Sequence, residues 1–433
     1  MAQLSDDCFA FGGALMTTAA ALADLEARVA TVAEVEEAAL GAALGRILAE
    51  DVVAGRDVPP NANSAVDGYA VYFDDLDESG PTLLPVAGRA AAGHPLEGPQ
   101  ARGTAVRIFT GAPLPQGEGS GAGPDTVMMQ EDCGERDGPD GARLVEIAPG
   151  IRRGANQRAA GEDVAAGTTI LTAGARLRPQ DLGLAASVGR ARLKVYAPLR
   201  AAVFSTGDEV RDPRDGAGDG ALGAGLIYDS NRVTIAALLA QLGCAVSDLG
   251  ILPDDQATIE TALAEAAREH ALIVTSGGMS VGEEDHVRAA VEALGQVHFW
   301  RLAIKPGRPI ALGQVGRVPF VGLPGNPVAV MVTFLRIARP MILKLAGASE
   351  RGPQLFQVRA GFAHKKKAER REWVRARLEP GGDGVPVARK FPRDGAGILT
   401  SMVEADGLVE LPEEMTRLEE GAMVDFLPFS EVS

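Results

Sequence analysis

A chain of 433 residues has room for roughly three domains at about 150 residues each, and 46% apolar residues fill their cores and exclude a disordered polymer. Aromatics make up only 4%, so Ala, Val, Leu and Ile build those cores, and 53 Gly with 27 Pro point to many turns. A net charge of −16 argues against a general nucleic-acid or anionic-membrane binder, and any anionic ligand must be held by local cations against the overall field.

Three scattered cysteines, Cys8, Cys133 and Cys244, imply neither a disulfide framework nor a zinc site and fit a reducing cytoplasm. Asp6 and Asp7 stand where a secretory signal would carry cations. The strongest apolar run, over 328–335, is too short to cross a bilayer.

In chain order, Thr17 or Thr18 caps a helix carrying Leu22, Leu25 and Val29, and Leu40, Leu44 and Leu48 mark a second helix. From Pro59 to about Gly150 the texture is β-rich, with strands expected over 70–73, 106–109 and 126–129 and a hairpin tip over 117–123. From Leu199 strands and helices alternate. Strands are expected over 201–204, 246–252, 271–274 and 297–304, and helices over 230–242, 258–268 and 287–294. A strand over 318–321 then precedes a long apolar helix that Asn326 and Pro327 start. Units of this length make a mostly parallel sheet covered on both faces, with ligands outside the carboxyl ends of its strands. After Gly352 short strands return, with a basic run of Lys365, Lys366, Lys367, Arg370, Arg371 and Arg375 that reads by itself as a solvated face.

The 275–286 segment, Thr-Ser-Gly-Gly-Met-Ser-Val-Gly-Glu-Glu-Asp-His, joins a buried strand to an amphipathic helix. It reads either as a turn with acids in the first helical turn, or as an anion cradle in which a hard cation such as Mg²⁺ bridges phosphate and carboxylate. Glu209 follows the first strand of this region, Asp254 and Asp255 the second and Asp285 the third, so three strands end in carboxylates at one sheet edge. Each alone could be a cap or a loop charge; together they repel unless a cation or protons intervene. On the strand expected over 297–304, Arg301 and Lys305 point the same way about 13 Å apart, and Arg308 follows in a turn where it and Lys305 could hold one tetrahedral anion.

The segments around Asp67, Thr110, Glu162, Ser205 to Glu209, Ser276 to Asp285, Lys305 to Gly307, Leu323 to Pro327, Ser401 and Gly407 together resemble the MoeA/gephyrin E-domain family, the molybdopterin molybdenumtransferases. The resemblance spans almost the whole chain. It implies an elongated, multidomain α/β plus β chain. A linker domain takes 1–58 and 150–197, a β-rich inserted domain 59–149, a doubly wound molybdopterin-binding α/β domain 198–349, and a C-terminal β domain 350–433. It also implies a Mg²⁺-dependent cytoplasmic homodimer with a composite site, which inserts molybdate into adenylylated molybdopterin and releases AMP. Its partners would be the molybdopterin adenylyltransferase and downstream maturation proteins, with neither nucleic acid nor membrane involved.

By matching motifs, Glu209, Asp254 and Asp285 would act at the nucleotide and metal. Lys305, Arg308, Pro309, Arg375 and Ser401 would line the molybdate and pterin pocket, together with Ser276, Gly277, Gly278, Pro324 and Pro327. Arg301 would bind substrate phosphate, and Asp67 and Thr110 would come from the second domain. Arg301 and Arg308 stand where many relatives carry lysine, and Ala329 where the family usually has serine. Two rival readings share features of the chain: the preceding adenylyl transfer, which uses a related α/β domain, and a non-enzymatic scaffold, a role gephyrin also plays.

Overall fold

The computed structural model describes residues 15–432 except 120, 139–140, 215–221, 278–285, 308 and 350–351. The chain forms two compact units. One takes the residues up to Glu50, Ala173–Arg178 and Arg192 onward; the other takes Asp51–Thr172 and Pro179–Ala191.

In the larger unit, Thr17 caps the helix Thr18–Arg28, its hydroxyl accepting from the Ala20 N–H. The second helix expected from Leu40, Leu44 and Leu48 does not form. Instead Val35–Ala39 is a strand paired antiparallel with Arg192–Tyr196, and Leu40–Ala42 is one short 3₁₀ turn. Gly45 takes a φ of 74°, which ends any helix there, and Leu48 is buried against Val195.

The central sheet runs in the order Ala245–Leu252, Arg200–Thr206, Leu272–Ser276, Val318–Leu323, Pro309–Val315, Gly295–Arg301. The first four strands are mutually parallel, as expected. Alternate residues of Arg200–Thr206 feed two cores: Ala201 and Val203 pack with Ile235 and Leu239, Ala202 and Phe204 with Ile259 and Val291. This is what a sheet covered on both faces requires. Asp229 and Asp255 cap the helices Ser230–Gln241 and Gln256–Glu269 through the N–H groups of Arg232 and Thr258. Asp255 is therefore spent as a cap.

The strand expected over 297–304 breaks. Gly295–Arg301 pairs antiparallel with Pro309–Val315, a strand the sequence pattern had not revealed. The buried Leu302 and Ala303 then turn the chain, with Ala303 N–H donating to Met16, and Ile304–Lys305 joins a different sheet beside Arg371 and Glu372. Arg301 and Lys305 thus do not share one strand face, and the spacing of ideal strand geometry does not apply to them.

The long apolar helix is Pro327–Thr333, a π-helical turn over Phe334–Ala338, and Arg339–Leu345. Asn326 sits at its cap position, though its side chain makes no capping hydrogen bond. Beyond it, Arg371–Glu379, Val387–Lys390, Phe356–Ala360, Met423–Pro428 and Gly407–Leu411 pair in that order, and Gly407–Leu411 pairs back onto Arg371–Glu379 to close a small barrel. Trp373, Leu408 and Leu427 of this barrel share one core with Val328 and Val330 of the apolar helix. The α/β sheet and the barrel are thereby held against each other.

The smaller unit is a sheet in the order Thr126–Met129, Gly68–Val71, Ala105–Ile108, Thr82–Ala90, Arg143–Ile147, Cys133–Asp137. All three strands expected here form. Because Gly68–Val71 lies between Ala105–Ile108 and Thr126–Met129, the 117–123 stretch is not a hairpin tip. Among the described residues no helix is long and apolar enough to cross a membrane.

Candidate active site

At the carboxyl edge of the central sheet, Ser205 and Ser276 are paired neighbours on adjacent strands. The buried Ser276 hydroxyl donates to the Pro324 carbonyl at 3.1 Å and accepts from Asn231 Nδ2 at 2.9 Å. Asn231 also donates to the Gly325 carbonyl at 2.7 Å. This one amide ties the serine loop to the Pro324–Gly325 turn, and motif reading had not selected it. Below it Arg232, only 1% exposed, meets three carboxylates: Asp229 at 2.9 Å, Asp212 at 2.6 Å and Asp248 in a very short contact. Burial pulls this guanidinium toward deprotonation, yet its bonds to Asp248 and Asp229 outweigh that and raise its pKa.

Glu209 and Asp254 follow paired strands, three residues past Thr206 and two past Leu252, which are register partners. Both are exposed, and among the described residues neither carboxylate has a hydrogen-bond or ion-pair partner. Among the described residues no three acids, histidines or cysteines gather as a metal site. Gly278, Asp285 and Arg308 lie outside the described residues.

The largest convergence of predicted residues is a cavity of about 580 Å³ between the sheet edge and the barrel. Gly277, Lys305, Pro309, Pro324 and Arg375 all line it, as does Ala329. Gly307 lets the 305–309 turn pack closely: its φ is 93°, and a side chain there would meet Thr333 at 2.5 Å. Pro327 starts the helix just beyond the cavity wall, and Arg301 and the two acids Glu209 and Asp254 lie outside the lining.

Arg375 is 8% exposed. Nε donates to Ser401 Oγ at 3.0 Å and Nη2 to the Gly395 carbonyl at 3.2 Å, while no carboxylate of the described residues comes within ion-pair distance. Burial pulls its pKa down, opposed only by the more distant charge of Asp394. Ser401 in turn donates to the Ile398 carbonyl at 2.6 Å.

Four further polar residues line the cavity that sequence reasoning missed: His364, Glu372, Lys390 and Asp394. Glu372 is 2% exposed and accepts from His364 at 3.1 Å and from Arg370, with the Lys305 ammonium 3.5 Å away. Burial pushes its carboxyl up, but those partners outweigh it and hold it below the ordinary range. Of these four only Lys390 carried a sequence signal, a basic residue four positions before Asp394. Two other members of the basic run are tied into the fold, while Lys365 and Lys367 are exposed. Lys366 donates to the carbonyls of Pro412 and Met415, and Arg371 pairs with Glu413 and Glu410.

In the smaller unit, taken by itself, Asp67 and Thr110 meet: the Thr110 N–H and hydroxyl donate to Asp67 Oδ1 at 2.8 and 2.7 Å. The Thr110 N–H bond first, then its hydroxyl, lowers the pKa of this exposed carboxylate.

Residues 16–189 match the MoeA N-terminal region (domains I and II), 202–344 a probable molybdopterin binding domain, and 357–429 the MoeA C-terminal region (domain IV). A Haemophilus influenzae protein named molybdopterin molybdenumtransferase is 39% identical over 90% of this chain and 92% of its own length. A Nostoc protein of the same name is 32% identical over 88% of this chain and 86% of its own. The crystal structure of a molybdopterin biosynthesis MoeA protein from Pyrococcus horikoshii superposes with a TM-score of 0.75 at 30% identity, covering 96% of this chain and 99% of that one.

Proposed function

From the premise that the chain belongs to the MoeA family and is an enzyme of molybdenum cofactor biosynthesis, a molybdopterin molybdenumtransferase, we propose that it transfers molybdate into the dithiolene of adenylylated molybdopterin and releases AMP. The observation that supports this best is Arg375. Among the described residues no carboxylate pairs with this buried guanidinium; such a charge costs stability unless a ligand completes it, and a tetrahedral dianion supplies that charge. Lys305 adds an ammonium on the same cavity wall, and the Ser401 hydroxyl fixes the guanidinium plane. Ala329 brings no hydroxyl to this wall, so the two cations do more of the holding.

The pterin's nucleotide would lie along the sheet edge, over Ser276, Gly277, Gly278 and the Pro324–Pro327 turn, with Arg301 on a phosphate. The exposed carboxylates of Glu209 and Asp254, unpaired among the described residues, would fit a hard cation, with Asp285 as third ligand. Mg²⁺ held there would neutralise charge developing on the departing AMP phosphate. The cytoplasmic homodimer belongs to the same reading, with Asp67 and Thr110 supplied by a second subunit, as do the adenylyltransferase and downstream partners. So does the four-part division at 1–58 with 150–197, 59–149, 198–349 and 350–433.

Mixing the protein with adenylylated molybdopterin, Mg²⁺ and increasing molybdate is expected to release AMP in proportion to molybdate. Absence of AMP at every molybdate concentration would sink the reading. Glu209→Gln and Asp254→Asn are each expected to raise the Mg²⁺ needed for half-maximal release by about tenfold, roughly one lost ligand; an unchanged requirement removes that residue from the metal.

A further inference from the structure

One ion pair of the cavity belongs to no motif. Lys390 ends the Val387–Lys390 strand beside the strand that carries Arg375, and its ammonium grips both oxygens of Asp394, at 3.0 and 3.1 Å. Both residues line the cavity. Their exposures differ: the Lys390 side chain is 21% exposed and that of Asp394 66%. The cation is thus anchored in the wall, while its counter-ion sits toward solvent on a loop. That loop also gives Arg375 its Gly395 carbonyl. Burial works against the charge of Asp394, but Lys390 and then Lys305 favour it and win, and its own charge acts on Arg375.

We propose that Lys390 is a third cation of the oxyanion site, and that Asp394 is its resident counter-ion, exchanged when an anion enters. The inference rests on the molybdate reading above. An arriving dianion takes the ammonium's hydrogen bonds, and the exposed carboxylate is released to water, where its solvation costs little. Asp394 then acts as an internal competitor that weakens occupancy by weaker anions and leaves the site to the dianion. No bond is made or broken in this exchange.

The two partners give opposite signs, which a merely structural pair would not. In molybdate titrations of AMP release by the full-length enzyme, Lys390→Met is expected to raise half-saturating molybdate about tenfold, with the rate at saturation little changed. Asp394→Asn should lower it about threefold, because it removes a negative charge and frees the ammonium. Lys390→Arg should stay within about twofold of the parent, since charge and donors remain. Asp394 faces solvent, 66% exposed, so breaking the pair costs little and the variants should melt close to the parent. No rise in Lys390→Met overturns the proposal. So does a half-saturation in Asp394→Asn that is not lowered, which would mark the pair as a loop brace. Parent enzyme that releases no AMP at any molybdate concentration refutes the underlying function instead; responsive parent enzyme with unresponsive variants refutes this inference alone.

Discussion

Two arginines of the larger unit are almost equally buried and have opposite surroundings. Arg232 lies under the carboxyl edge of the central sheet among Asp212, Asp229 and Asp248. Arg375, in the barrel wall, has one hydroxyl and backbone carbonyls. In both, burial works against the charge; carboxylates overturn it at Arg232 and nothing nearby does so at Arg375. The first is an ion cluster complete within the fold, tying a helix start to one loop and to the outer strand Ala245–Leu252 of the central sheet. The second is a charge left open toward a cavity. Identical chemistry at similar depth therefore serves architecture in one place and ligand binding in the other, and the counter-ion is what tells them apart.

Replacing each arginine with methionine breaks the comparison most directly. Arg232→Met leaves Asp248 and the buried Asp229 without their cation and Asp212 with Arg214 alone, and should cost about 3–5 kcal/mol, seen as a large drop in melting temperature. A melting curve unchanged from the parent would show that the cluster contributes nothing. Arg375→Met removes a buried charge that no described carboxylate pairs with, at similar volume, so its melting temperature should hold or rise. Its molybdate-dependent AMP release should nevertheless fall about 100-fold, the usual scale for one lost charge-stabilising donor. A variant that is less stable but equally active would reverse the assignment.

The same contrast explains what could be read from the sequence. The doubly wound sheet was legible because strand and helix periods alternate cleanly from Leu199, and Gly277, Lys305, Pro309, Pro324 and Arg375 were legible because motif order fixed them. Arg232 and Asn231 were not, since a helix start rich in polar residues looks like any solvated turn until the strands behind it are placed. Glu372 hid inside a basic run whose charge invited a surface reading. The break after Arg301 was invisible because Leu302, Ala303 and Ile304 continue an apolar strand pattern; burial against Met16 overrode it. The helix expected over 40–48 failed for the reverse reason, as three leucines at helical spacing could not carry two glycines.

A finer cut at the Arg375 side is Ser401→Ala. Nε would lose its acceptor while the charge stays, a cost of about 1–3 kcal/mol for an unmet buried donor. Half-saturating molybdate is expected to rise about fivefold or more, less than for Arg375→Met in effect on turnover. An unchanged titration would show that the backbone carbonyls alone orient the guanidinium.

The smallest effect concerns Glu372, which stands between the two cases: a buried carboxylate whose partners, His364, Arg370 and Lys305, belong partly to the fold and partly to the cavity. Its folded pKa is lowered, so its contribution is complete above the ordinary glutamate value of about 4.3 and is lost as pH falls through the folded value. Glu372→Gln should therefore melt below the parent at pH 7, and the gap should close as the pH is taken down to about 3. A gap constant with pH would mean that the carboxylate acts by shape and not by charge. The basic groups around it would then be free to serve the cavity without it.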